Sequence, residues 1–114
     1  NRLLFDAKLK AIDLAKTYSP PKKHVYCLPG KTGSMALKLA INNMHLSGQI
    51  SDYDKFIGEK ISYVLSGGDT DMTKEILEED ILNLEKNAIY NLMKENLTLE
   101  RLEHILETGK YLRN

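Results

Sequence analysis

The stretch SDYDKFIGEKISYVLSGGD, residues 51–69, contains the start, body and end of one amphipathic helix. Ser51 and Asp54 have the spacing of a capping box, in which the two side chains accept hydrogen bonds from each other's backbone N–H groups. Apolar side chains then recur at helical spacing, namely Tyr53, Ile57, Ile61, Val64 and Leu65. The pattern stops at Gly67 and Gly68, because glycine favours the left-handed turn that ends a helix.

Four further segments carry an apolar stripe at the same spacing. The first should end near Thr17, because Pro20 and Pro21 cannot continue a helix. Ser34, Thr73 and Thr98 are the expected N-caps of the other three, and Gly48 and Gly109 the expected stops. The stripes are Leu3, Ala7, Ala11 and Leu14; Leu37, Ala40, Ile41 and Met44; Leu77, Ile81, Leu84, Ala88 and Leu92; and Leu99, Leu102, Ile105 and Leu106.

These patterns predict an all-α fold of about five amphipathic helices joined by short loops. We expect residues 1–114 to form one small helical domain, with 1–17 as a docking helix, 18–33 as an irregular connection and 34–114 as a helical bundle. The chain starts at Asn1 without Met and runs directly into the first stripe. We therefore expect it to be a piece of a longer protein.

The charge balance favours neither nucleic acid nor membrane as a partner. Sixteen Lys and Arg side chains balance sixteen Asp and Glu side chains, so no basic surface is indicated. No apolar run approaches the roughly 20 residues that span a bilayer. Cys27 is the single cysteine and excludes an intrachain disulfide, which is typical of a cytoplasmic protein.

Gly30-Lys31-Thr32 resembles the end of a nucleotide-binding phosphate loop, but the match fails. The motif G-x-x-x-x-G-K-[ST] needs a glycine at position 25, which is Val25, and a buried parallel strand before it. A nucleotide hydrolase is therefore rejected. A weaker hypothesis remains, in which Lys31, Thr32 and Ser34 at a helix N-terminus bind an anion; the simpler interpretation is a turn followed by a cap.

No group of residues is predicted to be catalytic, cofactor-binding or metal-ligating. His24 and Cys27 have a spacing found in metal sites, but His45 and His104 lie on other helices, so a zinc site lacks ligands. Cys27 also lacks a positioned base that would make it a nucleophile. The acidic residues Glu75, Glu78, Glu79 and Asp80 are expected in the first turns of a helix, where negative charge is favourable. Three aromatic residues are expected in the core or an interface: Tyr53, Phe56 and Tyr63.

Three segments at the end of the chain resemble the C-terminus of one enzyme family. They are SDYDKFIGEKISYVLSGGD, LNLEKNAIYNLM at 82–93 and ETGKYLRN at 107–114. The start of the chain, LLFDAKLKAIDLAKTYSPPK at 3–22, is similar to the helix that follows a crotonase-type core. The family is that of the long bacterial 3-hydroxyacyl-CoA dehydrogenases, which join a dehydrogenase and an enoyl-CoA hydratase-like region in one chain.

The resemblance implies a parent enzyme that oxidises 3-hydroxyacyl-CoA with NAD in fatty-acid β-oxidation. The family's dinucleotide fingerprint and catalytic residues match no position in this chain, so no cofactor is expected to bind the fragment and the fragment alone should be inactive. By resemblance, its helices cover the acyl-CoA site or build oligomer contacts. Its partners would then be the remainder of the enzyme, acyl-CoA through that enzyme, and further copies. The alternative is a stand-alone helical protein-interaction module.

Overall fold

The computed structural model describes residues 1–114 and confirms the predicted all-α class. Helices make up 65% of the chain, and the only strands are two of two residues each. The elements in chain order are α1 (Arg2–Thr17), β1 (Val25–Tyr26), α2 (Lys31–Leu46), α3 (Asp52–Leu65), β2 (Ile76–Leu77), α4 (Glu78–Leu92) and α5 (Asn96–Thr108). None of the helices is long and apolar enough to cross a membrane.

Two of the predicted N-caps are wrong because each residue lies inside its helix. Gly30 is the N-cap of α2, and Ser34 is buried one turn further on. Glu95 is the N-cap of α5, and the Thr98 hydroxyl lies against the Tyr53 hydroxyl. For Thr98, this contact with Tyr53 of α3 determines the role of the hydroxyl group. The capping box of Ser51 and Asp54 is confirmed, as are the stops at Gly67, Gly68 and Gly109.

Thr73 is the third wrong cap, because a strand precedes α4. Ile76 pairs with Tyr26 and Leu77 with Val25 in an antiparallel register, so α4 begins only at Glu78. Thr73 instead hydrogen-bonds Asp71 in the preceding turn. Leu77 therefore belongs to the ladder and is not part of the helical stripe. The remaining four members of that stripe are the half-buried face of α4: Ile81, Leu84, Ala88 and Leu92.

α2 and α3 form an antiparallel hairpin with a seam of small residues. The Gly30 amide donates to the Ser66 carbonyl over 2.7 Å, which joins the start of α2 to the end of α3. Ser34, Ser62 and Ser66 are the buried polar side chains of the chain, and Ser62 donates to the Gly58 carbonyl. A methyl group at Gly58 would lie 3.0 Å from the Ile41 side chain, so the absence of a side chain there allows close packing.

The chain as a whole is extended and has almost no apolar core. Its radius of gyration is 20.9 Å, whereas a compact domain of this length has a value of about 13 Å. Its accessible surface is 9188 Å², against about 6,300 Å² for a compact protein of 13.0 kDa. Tyr53 is the one buried hydrophobic residue. α1 packs extensively on no other element, and all of its residues are exposed.

Candidate functional site

The N-terminus of α2, where the sequence suggests a weak anion site, faces acidic neighbours. Lys31 and Thr32 line a shallow hollow of about 310 Å³, together with Asp69, Asp71 and Lys74. The two carboxylates offset the two lysines. Ser34 is buried and does not line the hollow. The geometry therefore does not favour an anion at this helix start.

The residues considered for metal or nucleophilic chemistry stay apart. His24 and Cys27 are both exposed, and no group of three or more His, Cys, Asp or Glu side chains lies close enough to hold a metal ion. His45 pairs with Asp52, with 2.5 Å between Nε2 and Oδ1, and so joins the end of α2 to the start of α3. No other residue considered for metal or nucleophilic chemistry lies at this contact, so its role is structural.

The acidic run has the predicted helix-start role in three of its four members. Glu78, Glu79 and Asp80 form the first turn of α4, and the Asp80 carboxylate accepts a hydrogen bond from the Leu77 amide over 3.0 Å. Glu75 lies outside the helix, so its expected position is wrong. The cause is again the β2 strand, which delays the start of α4.

A groove between α2, α3 and α4 is lined by two lysines that form no ion pair and by two aromatic rings. We call it the lysine groove; it measures about 440 Å³ and includes Lys38, Phe56, Glu59, Lys60, Tyr63 and Asn87. Lys60 Nζ lies 4.9 Å from the centre of the Phe56 ring, and neither Lys38 nor Lys60 forms an ion pair. Burial and the Asp69 carboxylate raise the pKa of the Tyr63 hydroxyl. Glu59 reduces the net positive charge of the groove to one.

A second groove, between α3 and α4, is almost entirely apolar. We call it the apolar groove; it measures about 350 Å³, and its main lining residues are Ile61, Val64, Leu65, Ile81, Ile89 and Leu92. Ala88, Lys60 and Glu85 also line it. Leu65 is 62% exposed and Ile89 is 52% exposed, so nothing in the chain covers it. A surface of this kind is typical of an interface.

Arg101 joins α5 to the rest of the molecule. Its guanidinium lies 3.0 Å from the Asp54 carboxylate and 5.1 Å from the centre of the Tyr53 ring, and it donates to the Asn114 side chain over 2.6 Å. Asn114 also donates to the Leu97 carbonyl, which fixes the tail against α5. These contacts are mostly polar, so they orient α5 without burying its apolar stripe.

The same contacts stabilise the charged form of Asp54. A hydrogen bond from the Ser51 backbone lowers the pKa of the carboxyl most strongly, and the Arg101 guanidinium lowers it further, against an opposing effect of burial. The carboxylate thus serves both the capping box of α3 and the ion pair with α5.

Comparison with known proteins gives one match. A probable 3-hydroxyacyl-CoA dehydrogenase from Bacillus subtilis (strain 168) is 41% identical to this chain over 115 aligned positions, which include the whole of the chain. The resemblance to these dehydrogenases is confirmed. The matching region is the C-terminal part of the Bacillus protein, and the chain spans 15% of that protein's length. No family model matches the chain, and no solved structure matches it.

Sequence reasoning did not single out Arg101 and Asn114. Arg101 lies 47 positions from Asp54, so no local pattern links the two residues, and Asn114 gains its partners only when the tail folds back. The sole indication in the sequence is the terminal segment ETGKYLRN. This segment contributes to the resemblance to the dehydrogenases, but the resemblance assigns no role to its residues.

Proposed function

We propose that this chain is the C-terminal helical segment of an NAD-dependent 3-hydroxyacyl-CoA dehydrogenase of fatty-acid β-oxidation in the cytoplasm. In this role it covers or assembles the acyl-CoA site and is inactive by itself. The observation that carries the proposal is the 41% identity along the full chain to a probable enzyme of this kind. The remainder of the enzyme, with its enoyl-CoA hydratase-like region, would be the partner of the segment.

The lack of an apolar core supports an assembly role. Hydrophobic burial is the main favourable contribution to folding, and one buried hydrophobic residue supplies little of it. The apolar faces of α1, α5 and the apolar groove are instead directed outward. A segment with this surface is stabilised by packing against further protein.

The residues of this chain do not fit NAD. A dinucleotide site uses a parallel sheet with a glycine-rich turn that leads into a helix. Here Val25–Tyr26 and Ile76–Leu77 form the single sheet, which is antiparallel, and the glycine turn before α2 opens beside Asp69 and Asp71. These two carboxylates offset the two lysines of the same hollow, so it has no net positive charge that would attract the pyrophosphate of the cofactor. Cofactor binding is therefore assigned to other parts of the proposed enzyme.

The lysine groove supports a contact with the substrate. Coenzyme A carries several phosphate groups, and lysine ammonium groups bind phosphates as point charges. Lys38 and Lys60 are available because neither is held in an ion pair. In the assembled enzyme this groove would face the coenzyme A part of the substrate, and the reacting carbon would lie elsewhere.

The proposal is tested by assaying the enzyme that contains this chain, with and without residues 1–114. NADH formation from a 3-hydroxyacyl-CoA should be lost or greatly reduced in the truncated enzyme, and the isolated chain should give no turnover. Adding the isolated chain back should restore part of the activity. Full activity and unchanged assembly of the truncated enzyme would refute the assembly role, and turnover by the chain alone would refute its inactivity.

The substrate contact has its own test. Lys38→Gln combined with Lys60→Gln should raise KM for the acyl-CoA by about thirtyfold, since each of the two lost phosphate contacts costs on the order of 1 kcal/mol, and should leave kcat nearly unchanged. Lys55→Gln on the same helix is the matched control, because Lys55 does not line the groove. An equal KM in both variants would contradict the contact.

A stand-alone interaction module is the alternative that the exposed apolar faces also allow. The coding sequence before Asn1 discriminates between the two. A dinucleotide fingerprint in frame would favour the dehydrogenase, and a start codon directly before Asn1 would favour the module.

A further inference from the structure

Two apolar surfaces of the chain have no partner and are complementary to each other. One is the stripe of α1, formed by Leu3, Ala7, Ala11 and Leu14, and the other is the apolar groove between α3 and α4. We propose that α1 of one copy of the chain docks into the apolar groove of a second copy, and that the exchange is reciprocal. This interface is independent of the catalytic activity of any larger enzyme.

The two surfaces agree in length and in the size of their side chains. From Leu3 to Leu14 the stripe extends over twelve residues, and the part of the groove that α4 provides also extends over twelve, from Ile81 to Leu92. Both are therefore about 17 Å long. The middle of the stripe consists of alanines, and Ala88 is among the residues that line the groove, so small side chains allow the helices to approach closely. An amphipathic helix in an apolar groove is a common mode of recognition.

Charge favours the same pairing. α1 contains four basic and two acidic residues, which gives a net charge of +2. α4 contains four acidic residues and one basic residue, which gives a net charge of −3. Opposite net charges on two elements guide their association and disfavour pairing of α1 with α1 or of α4 with α4.

The connection between α1 and β1 favours a partner in a second copy over the same chain. Residues 18–24 link the end of α1 to β1, whose pairing with β2 holds it beside the start of α4. Pro20 and Pro21 lie in this link and favour an extended backbone. In the structure α1 makes no extensive contact with α3 or α4, and the molecule extends over 63 Å.

The exposed surface is large enough for such an interface. The accessible surface of 9188 Å² exceeds that of a compact chain of this mass by roughly 2,800 Å². In an obligate dimer each partner buries about 1,000–2,500 Å². A reciprocal exchange of α1 helices would remove both the α1 stripe and the apolar groove of each copy from water.

The test is disulfide crosslinking between two differently tagged copies of the full chain, both carrying Cys27→Ser. One copy carries Ala7→Cys on the stripe, and the other carries Ile89→Cys in the groove. The mixture should give a linked product containing both tags, because docking brings the two sulfurs within bonding reach. Light scattering of the unmodified chain should give a mass near twice 13.0 kDa.

Asp13→Cys, which replaces Ala7→Cys and lies on the polar side of α1 about 120° around the helix from Ala7, is the matched control. It should give at least about tenfold less linked product, because its sulfur points away from the groove. Three results would overturn the proposal: equal linking from both faces, a link confined to one chain when both cysteines are on it, or a monomer at concentrations up to about 100 µM. The last result is expected if another part of a larger enzyme covers both surfaces. An active enzyme with monomeric chains would refute this inference and leave the proposed function intact.

Discussion

The α2–α3 hairpin and α1 are both amphipathic helical regions, but they use their apolar residues differently. In the hairpin, Gly58 and three serines lie in a close seam, and glycine turns fix both of its ends. α1 has larger apolar side chains, with Leu3 75% exposed and Phe5 60% exposed, and none of them has a partner. The residues of the hairpin pack against each other within the chain, whereas the apolar residues of α1 are suited to contacts with another polypeptide.

This difference shows that an apolar stripe does not by itself identify a core. Burial in the hairpin depends on where small residues allow two backbones to approach, and the residues that become buried there are mostly polar or glycine. Large apolar residues at helical spacing define a surface, and the partner of that surface can belong to another polypeptide. Each experiment below changes one region and asks whether the other responds.

Gly30→Ala should have the largest effect, because Gly30 closes the hairpin. A Cβ at this position would lie 1.6 Å from the Thr70 carbonyl oxygen, and φ is +61°. We expect the free energy of unfolding to fall by more than about 3 kcal/mol, measured by urea denaturation. Gly48→Ala is the control, because φ is +76° there and no atom lies within 4 Å of the added methyl group; it should cost about 1 kcal/mol. Similar losses in both variants would contradict this account of the seam.

Arg101→Ala should have the next largest effect and should act on α5 alone. The variant removes the ion pair with Asp54 and the hydrogen bonds to Asn114. Amide exchange in α5 should accelerate as if about 2 kcal/mol of local stability were lost, while exchange in the hairpin stays unchanged. Arg113→Ala removes an exposed arginine from the same tail and should change neither region. Faster exchange throughout the chain would show that α5 is coupled to the hairpin.

The sequence predicts the helices well, and it predicts their contacts poorly, for a physical reason. Ser51 with Asp54, or Gly109 as a stop, are interactions within a few residues, so their spacing is readable. Thr98 has the residue type of a cap, but its hydroxyl lies against the distant Tyr53 of α3. Ser34 has the same residue type, but it is buried one turn inside α2. The pairing of β1 with β2 joins residues about 50 positions apart, and two-residue strands leave no periodic signal.

The candidate site follows the same division between local and distant signals. The absence of a phosphate loop is readable from Val25, since the motif is local. The lysine groove joins three helices, and Lys38 and Lys60 become neighbours only when α2 packs on α3. The sequence does not indicate the role of Arg101 for the same reason, because its partners are distant along the chain. The resemblance to a known enzyme family was therefore more informative about function than any spacing within the chain.

Acidification should weaken the attachment of α5 by a smaller amount. The pKa of Asp54 is held below its ordinary value of 3.8, chiefly by the Ser51 backbone and also by Arg101. Because the folded-state pKa is the lower one, the stabilisation is present above about pH 4 and is lost as the pH falls through the folded-state pKa. Amide exchange in α5, corrected for its intrinsic pH dependence, should indicate a loss on the order of 1 kcal/mol. In Asp54→Asn this pH dependence should be greatly reduced, and an unchanged profile would assign the effect to another group.

Deleting residues 1–17 should have the smallest effect on the hairpin and a selective effect on the groove. No residue of α1 is even half-buried, so exchange in the α2–α3 seam should change by less than about 0.5 kcal/mol. If α1 of a second copy fills the apolar groove, protection of Ile81, Ile89 and neighbouring amides of α4 should fall in the deletion, and only at concentrations where the intact chain is dimeric. The polar face of α1 supplies the control: Asp13→Ala should leave both regions unchanged. Loss of protection in the seam itself would mean that α1 stabilises the hairpin, and the contrast between the two regions would then be wrong.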